Sequence, residues 1–117
     1  NPDMVGHTGN IVATITAIET IDNYLGEIQH SAKGKGIAIF ITADHGNLEL
    51  MIDPQTGGMH TAHTTFPVPL ILDGVNEKYQ LAETGKLADI APTILDYLNI
   101  PKPNEMTGKS LLISTNE

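Results

Sequence analysis

The run Ile37-Ala38-Ile39-Phe40-Ile41-Thr42-Ala43 is apolar at nearly every position and rich in β-branched side chains. A strand with one wet face alternates apolar and polar residues; a continuous apolar run asks for cover on both faces, the habit of parallel sheets flanked by helices. The run ends in Asp44-His45-Gly46-Asn47, and open α/β sheets present their reactive groups at the carboxyl ends of strands. The expectation is therefore an α/β fold, a mostly parallel sheet flanked by helices, with 37–43 as a central strand.

The neighbouring segments suit that frame. Ile11, Ile15, Ile18, Leu25 and Ile28 recur at three- and four-residue steps, broken once where Asp22 takes a turn and Ile21 stands beside it as an irregularity, and predict a helix over 8–32, with Glu19, Asp22, Asn23 and Glu27 on its wet side. Gly34-Lys35-Gly36 ends it. Residues 53–58 read as a turn-rich loop, and 67–72 as a second strand whose Pro69 marks an edge or a strand start. Leu87, Ile90, Ala91, Ile94, Leu95 and Leu98 make the stripe of a second helix over 87–98, with Pro92 near its beginning. A short strand is expected at 111–113. No repeat, low-complexity segment or linker is apparent, and 117 residues make one domain or less.

Composition narrows the chemistry. There is no cysteine, which removes thiolate metal sites and disulfides and fits a cytoplasmic setting. No apolar run approaches the ~20 residues of a membrane helix. The net charge is −8, and the six positive side chains are all lysine, which argues against nucleic acid as a partner. Arginine, the usual fork for phosphate, is missing. A complete enzyme for a multiply charged phosphate ester would be expected to carry several, so either the substrate is not such an ester or its grip lies on sequence outside this chain. The chain also opens at its first histidine motif without an initiator methionine, which reads as part of a longer polypeptide.

Three stretches carry the candidate site: Asp3-Met4-Val5-Gly6-His7, Ala43-Asp44-His45-Gly46-Asn47 and His60-Thr61-Ala62-His63. Asp3 and His7 are four apart, one helical turn, so both can point at one ion, or they form an ordinary capping pair. Asp44 and His45 either reach a common cleft beyond the strand end, helped by Gly46, or merely cap the strand. His60 and His63 are a ligand with an auxiliary group, or two solvated loop histidines. His30, near a helix end, reads as structural. Carboxylate oxygen and imidazole nitrogen together suit divalent manganese, zinc, iron or cobalt.

The same residues carry a resemblance. Residues 1–9 (Asn-Pro-Asp-Met-Val-Gly-His-Thr-Gly), 42–47 (Thr-Ala-Asp-His-Gly-Asn), 60–65 (His-Thr-Ala-His-Thr-Thr) with Pro-Val-Pro at 67–69, 87–95 (Leu-Ala-Asp-Ile-Ala-Pro-Thr-Ile-Leu) and 105–111 (Glu-Met-Thr-Gly-Lys-Ser-Leu) resemble cofactor-independent phosphoglycerate mutases of the alkaline phosphatase superfamily. The resemblance implies a partial alkaline-phosphatase-like fold, with 1–117 as the carboxyl-terminal portion of the metal-binding, phosphatase-like domain. It implies a glycolytic isomerase that interconverts 2-phosphoglycerate and 3-phosphoglycerate through a phosphoserine and two manganese ions. Position by position, Asp3, His7 and His63 match the ligands of one ion, and Asp44 and His45 match ligands of the other. His63 is chosen over His60 because it stands four before Pro67, the spacing of related members; His60 is left as an auxiliary group in the pocket.

Departures from the family pattern set further expectations. The serine nucleophile, one more carboxylate ligand and the substrate-gripping arginines and lysine lie upstream of residue 1 in that family. Ser31, Ser110 and Ser114 sit in no motif that matches the family's nucleophilic serine. This chain alone is expected to be inactive, and the full-length enzyme to be a cytoplasmic monomer acting on phosphoglycerate, with no nucleic-acid or membrane partner. Another phosphomutase or phosphatase of the superfamily, and a non-catalytic metal-binding module, are the rival readings.

Overall fold

A computed structural model describes residues 1–75 and 78–115. The chain divides into two compact units, Asn1–Gly74 and Val75–Glu117. Among the described residues no helix is long and apolar enough to cross a membrane.

The first unit begins with two helices where one was expected. Helix α1 spans Pro2–Gly6, with Pro2 in its first turn and Asp3 favourably placed near its amino end. Helix α2 spans Ile11–Ala32. The break lies at Gly9, whose φ of +67° is a left-handed turn conformation. Asn10 then starts α2 as a cap, its Oδ1 accepting the Ala13 N–H at 3.0 Å. The expected helix over 8–32 is thus corrected at its start: Thr8 belongs to the turn, donating its hydroxyl to the Val5 carbonyl at 2.6 Å. The inward face is also shifted from the expected stripe. Thr14 is buried and Ala17, Ile21 and Leu25 are half-buried, whereas Ile11, Ile15, Ile18 and Ile28 are exposed.

Strand β1 is Ile39–Thr42 and β2 is Leu70–Asp73. They pair antiparallel, Ile39 opposite Asp73 and Thr42 opposite Leu70. The α/β class holds, but the expected mostly parallel sheet with 37–43 at its centre is not shown: every strand pair among the described residues is antiparallel. The apolar run reports a demand for cover on two faces, and that demand does not fix the direction of the neighbour. Ile37, at the start of the run, is exposed outside the strand, and the prolines at 67 and 69 precede β2.

After β1 the chain makes two closures that position the site. Residues 53–58 form a tight turn: Asp53 Oδ1 accepts the Gln55 N–H at 2.7 Å, and Ile52 bridges Met59. Gly46 then bridges Thr64, the Thr64 N–H donating to the Gly46 carbonyl at 2.9 Å.

The second unit holds β3 (Tyr79–Leu81), a 3-10 turn over Leu87–Asp89, α3 (Ile90–Tyr97) and β4 (Leu112–Ser114). Sequence reasoning missed β3, because three residues are too few to show a period. The other elements fall within a residue or so of expectation. β3 and β4 pair antiparallel, Tyr79 opposite Ser114. Leu111 is the buried large apolar residue here, and polar bonds surround it. Thr93, fully buried, donates to the Asp89 carbonyl at 2.6 Å and accepts the Leu111 N–H at 2.9 Å. The buried Asp89 carboxylate takes the N–H groups of Lys109 at 2.9 Å and Lys86 at 3.0 Å, which hold it below the usual carboxylate range.

Candidate metal centre

Helix α1 supplies Asp3 in its first turn and His7 just past its last residue. The antiparallel Gly46–Thr64 bridge supplies the third group, since it sets His63 opposite Asn47 and diagonal to His45. The His45 and His63 rings accordingly stack, centroids 3.7 Å apart and planes within 24°. Asp3, His7 and His63 thereby converge, each offering one ligand atom within 4.8 Å of the others.

The triangle has usable dimensions. His63 Nε2 lies 2.9 Å from Asp3 Oδ1, His7 Nε2 lies 3.3 Å from the same oxygen, and the two Nε2 atoms are 3.2 Å apart. Two ligands each about 2.1 Å from one ion are separated by roughly 3.0 Å in octahedral and 3.4 Å in tetrahedral geometry. All three edges fall in or beside that window.

Hydrogen bonding on the far side of each ring supports the same use. His7 Nδ1 is 2.6 Å from the Thr61 carbonyl, and His45 Nδ1 is 3.2 Å from the Gly46 carbonyl. A carbonyl only accepts, so both Nδ1 atoms carry the proton, and in the neutral ring both Nε2 lone pairs face inward. Such carbonyl-set tautomers are how ligating imidazoles are oriented. A single proton on His63 Nε2 would be shared between Asp3 Oδ1 and His7 Nε2; a divalent cation in its place would be gripped by all three atoms. The donor set thus fits a metal ion.

His45 and Asp44 border this triangle. His45 Nε2 stands 3.8 Å from Asp3 Oδ1 and 3.7 Å from Asp44 Oδ2, and Asp44 is 89% exposed. Asp44 faces outward while His45 Nε2 stays at the rim of the triangle, so the two can contribute to a second site without completing one. His60 is set apart. Its N–H bonds the Met51 carbonyl at 2.9 Å, its Nδ1 is buried without a partner, and its field acts on Glu49 and Asp53.

The Asp3 carboxyl sits below its ordinary range. The Asn47 amide is the largest cause; burial opposes it, and His63 and His7 add to the lowering. Asn47 was quoted in a motif but given no part by sequence reasoning, and Glu49 and the Thr61 carbonyl were missed outright. A hydrogen-bonding side chain two or four residues past a metal motif is a signal, though a weak one without coordinates.

The chain belongs to the metalloenzyme superfamily, whose sequence pattern it matches over residues 1–102. Among its relatives are proteins named 2,3-bisphosphoglycerate-independent phosphoglycerate mutase. Those of Rhodopseudomonas palustris and Rippkaea orientalis are each 56% identical over 96% of this chain, and that of Agrobacterium fabrum is 54% identical over 96%. The chain spans 22% of the length of each of these relatives.

Proposed function

We propose that this chain is the carboxyl-terminal portion of the phosphatase-like domain of a metal-dependent phosphoglycerate mutase, a cytoplasmic glycolytic isomerase working with two manganese ions and a phosphoserine intermediate. The observation that carries the reading is the Asp3, His7 and His63 triangle with its carbonyl-set imidazole, in a chain whose relatives bear that enzyme's name. In this reading Asp3, His7 and His63 hold one ion, and Asp44 and His45 provide part of the hold on the other. The ions supply Lewis acidity, lowering the pKa of a serine hydroxyl and drawing off charge as a phosphoryl group moves.

The chain's own work is orientation. The Thr61 and Gly46 carbonyls keep His7 and His45 in the tautomer that leaves Nε2 free. Asn47 turns the Asp3 carboxylate toward the same point. The nucleophile, the remaining carboxylate and the cationic grip on glycerate come from the rest of the polypeptide in this reading, which accounts for the missing arginine. The enzyme is read as a monomer with no nucleic-acid or membrane partner.

Two measurements test it. Elemental analysis of the polypeptide that carries this chain, purified from manganese-supplemented medium, should find bound divalent metal, and a coupled assay should find phosphoglycerate interconversion. The isolated 117-residue chain should show none. Turnover that survives exhaustive chelation, or turnover by the isolated chain, refutes the reading.

A further inference from the structure

Asp3 is gripped from behind by a side chain that leaves its own oxygen unsatisfied. The Asn47 Nδ2 donates to Asp3 Oδ1 at 2.9 Å and also lies 3.4 Å from the Asp3 carbonyl. Both partners only accept, so the amide must present its NH2 edge to Asp3. Its Oδ1 is thereby turned toward Gly6, where it is buried without a partner. Asn47 is 6% exposed. A buried orphan acceptor is unfavourable, and a fold that keeps one asks what the arrangement gains.

Glu49 fixes the same residue from the other side. Its Oε2 accepts the Asn47 backbone N–H at 2.8 Å, and its Oε1 accepts the Thr64 hydroxyl. Thr64 is the residue bridged to Gly46 and follows His63 directly. One carboxylate thus joins the segment that aims Asn47 at Asp3 to the segment that delivers His63. Gly46 leaves room for this, because a Cβ there would run into both Thr64 Oγ1 and Glu49 Oε1.

We propose that Asn47 and Glu49 are positioning residues: Glu49 locks the 47 and 64 segments together, and Asn47 sets the Asp3 carboxylate in the orientation that meets His7 and His63. Neither touches the ion or substrate. The proposal rests on the metal reading above. Nδ2 occupies one lone-pair direction of Oδ1 and leaves another for the cation. Without it Asp3 rotates freely, and the ligand triangle forms in only a fraction of molecules.

The test is cation binding in the polypeptide that carries this chain, using Mn(II) competition with a chelating dye and the visible spectrum of Co(II). Asn47→Ala and Glu49→Ala should each weaken binding by about 10- to 100-fold, the range for partners that orient ligands. The Co(II) bands of Asn47→Ala should shift as Asp3 coordination changes. Glu49→Gln should stay within about threefold of the parent, because its amide oxygen can accept the Asn47 N–H while its NH2 donates to Thr64 Oγ1. A folded Asn47→Ala with parental affinity and an unchanged Co(II) spectrum overturns the proposal. So does Glu49→Gln falling as far as Glu49→Ala, which would make charge, not orientation, the operative property. Should Asn47→Ala fail to fold, the Glu49 pair decides alone. Failure of the parent itself to take up Mn(II) or Co(II) overturns the metal reading and this inference with it.

Discussion

Gly6→Ala and Gly26→Ala are the same chemical change in helices of the same chain, and they should have opposite signs. Alanine in a helix is favoured over glycine by roughly 0.5–1 kcal/mol. At Gly26, on the exposed face of α2, a Cβ would meet nothing within 4 Å, so that gain is realised in full. At Gly6 the added carbon would stand 2.6 Å from Asn47 Oδ1 and 2.6 Å from Leu48 Cδ2. Asn47 is anchored at its backbone by Glu49 and at its amide by Asp3, so it cannot swing aside without breaking a bond. Overpacking costs about 1–3 kcal/mol, and a lost hydrogen bond about 1 more, against a propensity gain below 1. Sterics win at residue 6 by about 1–3 kcal/mol. At about 2.1 cal/mol/K per residue, a cooperative unit of this length loses roughly 4–12 °C in Tm for Gly6→Ala and gains roughly 2–4 °C for Gly26→Ala. Thermal denaturation followed by circular dichroism reads both shifts, and Mn(II) titration should show weakened binding for Gly6→Ala alone. A Gly6→Ala variant that rises in Tm as Gly26→Ala does, with parental Mn(II) affinity, refutes the packing argument.

Other outcomes are equally specific. His63→Ala should lose cation binding by more than the ~10- to 100-fold of an orienting partner, while His60→Ala, whose ring lies outside the triangle, should keep it; dye-competition titration separates the two. Thr93→Val keeps the shape of the buried side chain but orphans the Leu111 N–H, so urea unfolding should register a loss of about 1–3 kcal/mol. Asp89, whose carboxyl is depressed by two backbone N–H groups, contributes stability that is present above the unfolded carboxylate value and lost as pH falls through the lower folded value. Asp89→Asn should therefore be less stable than the parent near pH 7, and the gap should narrow in acid, as urea midpoints across the pH range would show.

Much of the site was legible because its groups fall in contiguous motifs at element ends. Asp3 and His7 are one turn apart in sequence and in space, and Asp44 and His45 do follow the apolar strand. What brings His63 to them is the Gly46–Thr64 bridge, a pairing eighteen positions apart that leaves no periodic trace. The extra helix boundary was written in Pro2, Gly9 and Asn10, but the isoleucine rhythm running from Ile11 masked it. That rhythm also misplaced the inward face: Ile21, set aside as an irregularity, packs inward, while Ile15 and Ile18 face out. The antiparallel pairing of β1 with β2 was not legible, because an apolar run records how a strand is covered and carries no information about its partner's direction.

The candidate centre joins residues sixty positions apart, and that span contains Gly34 and Gly36, both at positive φ, flanking the exposed Lys35. An ion held by Asp3, His7 and His63 would act as a clasp across this loop. Tying off a loop of that size removes up to about 4 kcal/mol of unfolded-chain entropy, by the same reasoning as a disulfide. Trypsin cutting after Lys35 should then yield two pieces that migrate together on a sizing column while manganese is present. Added chelator should loosen them.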